Sequence, residues 1–484
     1  MAAVGRFVPQ RSSFFHSPSG YEFVVNVENN ANPPLTISFS KHKSSPDHSI
    51  SPKWFIGSGN VGSSFVFERD GYFFMSPVSY YSSESRWDVS PGYESYTNLY
   101  LTRAVTPECW SCHASGTRSI AGTVNRYDDP PFEEAGIGCE RCHGPGAVHA
   151  KSGGHAPITN PSKLSGRARE DVCAQCHLTG QIRILRPGRN PGDFQPGEDL
   201  AKYVSIFVDP DARHAPQATG HFEALASSAC RIKSGGRLSC GSCHSVHSRP
   251  SQSNKPAYYR AKCLGCHATD DCQMAASARV AAGDLCASCH MPKQAVADVL
   301  HAAYTDHRIA AKPTNAEHAT LPGKPVAFGP AAPSRDLALA EAAVSFARND
   351  FSLAREAFAT LRRLEPSLNA DAPALAVLGR FYDLRGDRQK ARDLYRKSAT
   401  LDPSQVEAAV NLGAILFQEG NATEALIWWR KALTAQPGLE AARLNIARLL
   451  VRGRQVEAAR KELQTLLEFS PGHPTAIEQL NMLR

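Results

Sequence analysis

Two cysteines three apart, with a histidine directly behind the second, recur six times: CWSCH (Cys109, Cys112, His113), CERCH (Cys139, Cys142, His143), CAQCH (Cys173, Cys176, His177), CGSCH (Cys240, Cys243, His244), CLGCH (Cys263, Cys266, His267) and CASCH (Cys286, Cys289, His290). They take up 12 of the 14 cysteines. At this composition about 0.015 such pentapeptides are expected by chance in the whole chain, so the set is no accident. Zinc ribbons use such pairs two to a metal and need no histidine at the next position, and a thioredoxin-like redox motif wants one pair near a βαβ pattern. Porphyrin explains the spacing better. Each cysteine adds to one vinyl group of the same ring, and the histidine is carried onto the near face of its iron. The expectation is six covalently attached haems c.

The surroundings of these motifs lack long apolar-periodic segments and are rich in glycine, proline and polar residues. Flat apolar rings would supply the core that such a chain cannot build, with folding coupled to the cofactor. Hydrophobic residues make up 42% of the 484, and no apolar run approaches the 18 or so residues of a membrane span. The formal charge of +7 is no evidence for nucleic acid, because twelve haem propionates would bring it to roughly −5. Haem attachment of this kind is completed outside the cytoplasm, which predicts a periplasmic or extracytoplasmic protein. MAAVGRFVPQRSSFF has no apolar core of an export signal, so either translation begins further upstream or a signal has been removed.

Four stretches follow. Residues 1–105 are rich in aromatic and β-branched residues, and FVFERDGYFFMSPVSYY predicts two strands around an Asp70-Gly71 turn, giving a small β-rich lobe. Residues 106–320 form an irregular, mostly helical and loop multihaem cytochrome c domain. Residues 321–335 are a Pro/Gly/Ala linker. Over 336–484, Gly379, Gly413 and Ala447 are 34 apart, as are Ala391, Ala425 and Ala459, and Pro403, Pro437 and Pro471. That is the tetratricopeptide period. It predicts an all-α solenoid of about four helical hairpins and a last helix, with a concave surface for a protein partner.

Twelve histidines lie outside the motifs, against five methionines, so His/His ligation and low potentials are expected. The candidates for the far face of the irons are His149 and His247, each close behind a motif and suited to a neighbouring haem, then His301 and His307, then His16 and His221. Met291 directly follows His290 and packs. Cys230 and Cys272 belong to no motif, and a disulfide or two free thiols are both open.

GIGCERCHGPGAVH, SSACRIKSGGRLSCGSCHSVH and CASCHMPKQAVADVLHAAYTDHRI, with WFIGSGN, RWDVSPGYE and FFHSPSG nearer the N-terminus, resemble exported bacterial multihaem cytochromes c fused to tetratricopeptide repeats. The haem part is similar, more distantly, to tetrahaem and octahaem cytochromes of nitrogen metabolism. Members of that family begin with a secretion signal and one more C-x-x-C-H before the segment matching GRFVPQ. The resemblance therefore implies a seventh haem in the full-length protein, with His16 as a ligand to it.

The first functional reading is an electron carrier whose repeats dock a redox partner. One alternative is an oxidoreductase acting on a small nitrogen or sulfur compound at one open haem; a second is a repeat scaffold with structural haems. No nucleophile-base pair or P-loop stands out, no catalytic residue is assigned, and the sequence sets no oligomeric state.

Overall fold

The computed structural model describes residues 10–28, 33–41, 48–57, 61–208, 220–251, 253–269, 271–295, 303–311 and 323–483. Its packing divides the chain into two compact units. The first holds residues 1–138, 187–193 and 332–484; the second holds 139–186 and 194–331.

The first unit begins with two antiparallel sheets, each joining its strands in chain order. One comprises Gln10–His16, Tyr21–Val27, Leu35–Ser40 and His48–Ile50; the other comprises Trp54–Ile56, Gly62–Arg69, Tyr72–Tyr81 and Arg86–Val89. Strict alternation of buried and half-buried residues along Tyr21–Val27 puts one face inward, as the two-residue period of a strand dictates. Phe23, Val25, Leu35, Ile37 and Phe39 of the first sheet share a core with Phe65, Phe67, Phe74, Val78 and Trp87 of the second. The expected hairpin is present. Gly62–Arg69 pairs with Tyr72–Tyr81, and Asp70 (φ 54°) and Gly71 (φ 80°) take the left-handed conformations a two-residue turn requires.

Residues 334–482 form four helical hairpins and a closing helix: Ser334–Arg348 with Phe351–Leu364, Ala372–Leu384 with Arg388–Leu401, Val406–Gln418 with Ala422–Ala435, Glu440–Arg452 with Val456–Phe469, then Pro474–Met482. The small residues at the 34-residue period sit where the paired helices cross. A Cβ on Gly379 would come within 2.9 Å of Tyr395, and one on Gly413 within 2.7 Å of Trp429 Cδ1. Trp429 is 1% exposed and its indole N–H donates to the Val410 carbonyl at 3.1 Å, so it cannot yield. The fourth hairpin tolerates Ala447 because it packs beside Leu463, a smaller neighbour. Gly413→Ala should therefore lower stability by about 1–2 kcal/mol in urea titration, overpacking outweighing the roughly 1 kcal/mol that alanine gains in a helix.

Sequence stretches and packing units differ. The lobe and the repeats share one unit, because Phe469, at the end of the last paired helix, is buried in the sandwich core with Tyr21, Phe74 and Leu101. The helix Pro107–His113, carrying the first motif, also belongs there: its Trp110 is fully buried against Val66, Phe73, Val105, Tyr127 and Phe132. Nor is the Pro/Gly/Ala stretch all linker. Val326–Ala327 pairs with Phe207 and Val208, adding a third strand to the sheet of Ile182–Leu185 and Val204–Val208 in the second unit.

That second unit is short helices and loops around a modest cluster of Ala174, Leu178, Phe194, Leu200, Tyr203, Val204 and Ile206. The helices Ala229–Lys233, Cys240–Cys243, Lys255–Leu264, Ala276–Ala281 and Cys286–His290 bury none of their own residues. Polypeptide packing alone does not hold such a region together.

Candidate haem sites

Each motif sits on or at the end of a short helix, and the helical turn is what makes C-x-x-C-H work. Residues at i, i+3 and i+4 lie on one face, so both thiols and the imidazole point to the same side. The backbone N–H of His143 donates to the Cys139 carbonyl at 3.0 Å, that of His244 to Cys240 at 2.9 Å and that of His267 to Cys263 at 3.0 Å. CAQCH closes the longer helix Gly166–His177.

Several imidazoles are held by the nitrogen that faces away from a prospective iron. Nδ1 lies 2.8 Å from the Thr159 carbonyl in His143, 2.9 Å from Ala310 O in His290, 2.7 Å from Ala156 O in His149 and 2.7 Å from Thr305 O in His307. A carbonyl accepts, so Nδ1 carries the proton and Nε2 keeps its lone pair. This is the anchoring that metal-binding histidines use. Burial pushes the imidazoles of His113, His177 and His244 toward the neutral form, and does the same at His307. Metal ligation needs that form.

Three motif histidines have a second imidazole at a telling distance. An imidazole nitrogen binds a first-row metal at about 2 Å and its ring centre lies about 1 Å further out, so two imidazoles on opposite faces of one iron have centroids roughly 6 Å apart. His143 and His247 are 5.9 Å apart with ring planes 12° from parallel, His244 and His307 are 6.1 Å apart at 27°, and His177 and His221 are 5.9 Å apart at 84°. In each pair one member belongs to a motif and the other lies outside every motif. His221 and His307 stand 4.7 Å apart, closer than one iron between them would allow. His307 is fixed from behind: the neighbouring Asp306, 3% exposed, takes bonds from Arg308 Nε at 2.9 and 3.0 Å and from Gln294 at 3.0 Å.

The other candidates sit elsewhere. His149 occupies the helix Ala147–Lys151 and, among the described residues, is in ring contact with no motif histidine. His16 lies on the first strand of the lobe, with Ser19 Oγ 2.8 Å from its Nδ1 and the Glu94 carbonyl 3.0 Å from its Nε2, so both nitrogens are engaged. His301 lies outside the described residues.

Thiols of different motifs also approach one another. Cys173 and Cys240 share a hydrogen bond that raises the pKa of the first and lowers that of the second. Cys263 is pushed up to about 11 by burial and by the adjacent Cys286. Cys230 and Cys272 are both free thiols. Among the described residues no three of His, Cys, Asp and Glu converge as a metal-ion ligand set, whereas a structural zinc needs four. Three imidazole pairs at this spacing, two of them with one member's Nδ1 held by a backbone carbonyl, fit haem.

The sequence did not disclose which histidines pair, nor the groups beside the motif rings. Tyr259, 3.3 Å from His244 Nδ1, and Asp271, 3.5 Å from His267 Nδ1, are neighbours that it missed. Only the spacing of four in HATDD could have flagged the latter.

A family model described as cytochrome c554 and c-prime matches residues 85–144, and one described as tetratricopeptide repeat matches residues 385–440. The multiheme cytochrome MtrA of Shewanella baltica (strain OS185) is 25% identical over 180 residues, covering 33% of this chain and 52% of the relative, so the match spans about half the relative's length. Among solved structures, MamA is similar at 19% identity and TM-score 0.26, over 31% of this chain and 81% of that one. YrrB, a tetratricopeptide-repeat protein, is similar at 17% identity and TM-score 0.26, over 30% and 75%. The cytochrome family model and the MtrA match support a multihaem cytochrome c. With the repeat family model, they support more particularly a multihaem cytochrome fused to tetratricopeptide repeats. Among the described residues, no helix is long and apolar enough to cross a membrane.

Proposed function

We propose that the chain carries electrons outside the cytoplasm through six haems c, and that its repeats dock a protein redox partner. The haems are attached at the twelve motif cysteines, with His113, His143, His177, His244, His267 and His290 as proximal ligands. His247, His221 and His307 would be the second histidines holding the haems of His143, His177 and His244. The observation that carries this reading is the set of three imidazole pairs with centroids 5.9 to 6.1 Å apart. Iron held between two histidines has no open position for a substrate, and its potential is low because no thioether raises it.

Contact between thiols of successive motifs supports the transport role. Cys173 adjoins Cys240, and Cys263 adjoins Cys286, so haems held at those cysteines would be neighbours. Transfer between cofactors weakens steeply with the gap between them, and adjacency is what a relay needs. A solenoid of helical hairpins exposes a concave face suited to a protein partner.

Mass mapping and a pyridine-haemochrome assay on the natively matured protein test the reading. The expected result is a haem on each cysteine pair, six per chain, with essentially all iron low-spin. Unmodified cysteines or bound zinc would overturn it. A high-spin signal that shifts with nitrite, hydroxylamine or sulfite would make the protein an oxidoreductase instead.

A further inference from the structure

Four of the motif histidines differ in what stands behind the ring. For His143 and His290 it is a backbone carbonyl, at 2.8 and 2.9 Å from Nδ1; for His244 it is the phenol of Tyr259, at 3.3 Å. All three partners are neutral. For His267 it is a carboxylate: Asp271 Oδ2 lies 3.5 Å from Nδ1, four residues on. The same Oδ2 accepts from the Ala268 backbone N–H at 2.9 Å, which fixes the carboxylate beside the ring.

We infer that Asp271 is a positioning residue that makes the haem on Cys263 and Cys266 the most reducing of these four. The inference rests on the reading above, in which His267 is the proximal ligand of that haem. At 3.5 Å the carboxylate acts on the ring as a charge rather than through a short hydrogen bond. A full negative charge behind the imidazole would make the ligand more basic and would favour the ferric state of a haem held there, which carries one more positive charge than the ferrous. Carbonyl and phenol partners supply neither a full charge nor as strong an acceptor. The haem so tuned sits at a junction, since the Cys263 thiol adjoins Cys286 on one side and has Cys243 nearby. An electron crossing between those neighbours meets its uphill step there.

Asp271→Asn tests the assignment, because it keeps the size and an acceptor oxygen while removing the charge. Asp271 is about half exposed, and the change is not expected to disturb folding. In a potentiometric titration of the loaded protein, one component should move positive. Its ferrous-to-ferric ratio at a fixed solution potential should rise about tenfold, which is about 59 mV for a one-electron couple. The other components should stay in place and the haem count should be unchanged. Asp271→Glu, which keeps the charge, should stay within about twofold of the parent ratio. A fully loaded Asp271→Asn protein whose titration overlays the parent would overturn the assignment, as would an equal shift in the glutamate variant. Failure of the underlying reading looks different: peptide mapping of the parent would find no haem on Cys263 and Cys266, and both would fall together.

Discussion

Phe469→Ala is expected to lower the unfolding free energy of the lobe and the repeats together by about 3–5 kcal/mol, the cost of removing a buried phenylalanine. Its ring is 3% exposed, lies 5.7 Å from Phe74 and carries the Arg69 guanidinium 4.5 Å above it. Its carbonyl accepts the Leu101 N–H at 2.6 Å. Two further contacts reach the preceding hairpin, at the end of Ala422–Ala435: the Tyr72 hydroxyl donates to the Thr434 carbonyl at 2.5 Å, and the Val124 N–H donates to Ala435 O at 3.0 Å. Denaturant unfolding followed by amide hydrogen exchange, read separately over the repeat helices and over the strands of the lobe, should show both shifting in step. A loss below about 1 kcal/mol, or helices that melt without the lobe, would contradict a shared core. One practical consequence concerns deletion of residues 336–484, the obvious test of docking by the repeats. It would also strip Phe469 from the sandwich, so substitutions on the exposed repeat surface make the cleaner experiment.

His247→Gly is expected to turn one haem from low to high spin, about a sixth of the total iron, by removing the imidazole 5.9 Å from that of His143. Added imidazole should restore the low-spin spectrum, since it fills the space the side chain leaves. Electron paramagnetic resonance and visible absorption report both changes. The same substitution at His16 should leave the spin state untouched, because both of its nitrogens are engaged within the lobe by Ser19 and Glu94. An unchanged spectrum for His247→Gly would break the pairing of His143 with His247, and the two other pairs, argued from the same spacing, would lose their support.

Much of this protein could be read from local pattern. The attachment motifs work within a single helical turn, so their chemistry is complete in five residues. Asp70-Gly71 predicts its hairpin because the left-handed backbone there depends on those two residues alone. The 34-residue recurrence of Gly379, Gly413 and Ala447 predicts helix crossings because a small residue is needed wherever Tyr395 or Trp429 presses close.

Local sequence carries the attachment motifs, the hairpin and the repeat, each of which depends on residues near one another along the chain. Tertiary structure alone decided that His247 meets His143, that His307 meets His244, that Asp271 backs His267 and that Phe469 completes the core of a distant β-sandwich. A histidine carries no mark of its partner, and a phenylalanine at a helix end reads the same whether it caps a repeat or fills another domain's core. Such pairings follow from the path of the chain through space, which closes contacts that no local periodicity encodes.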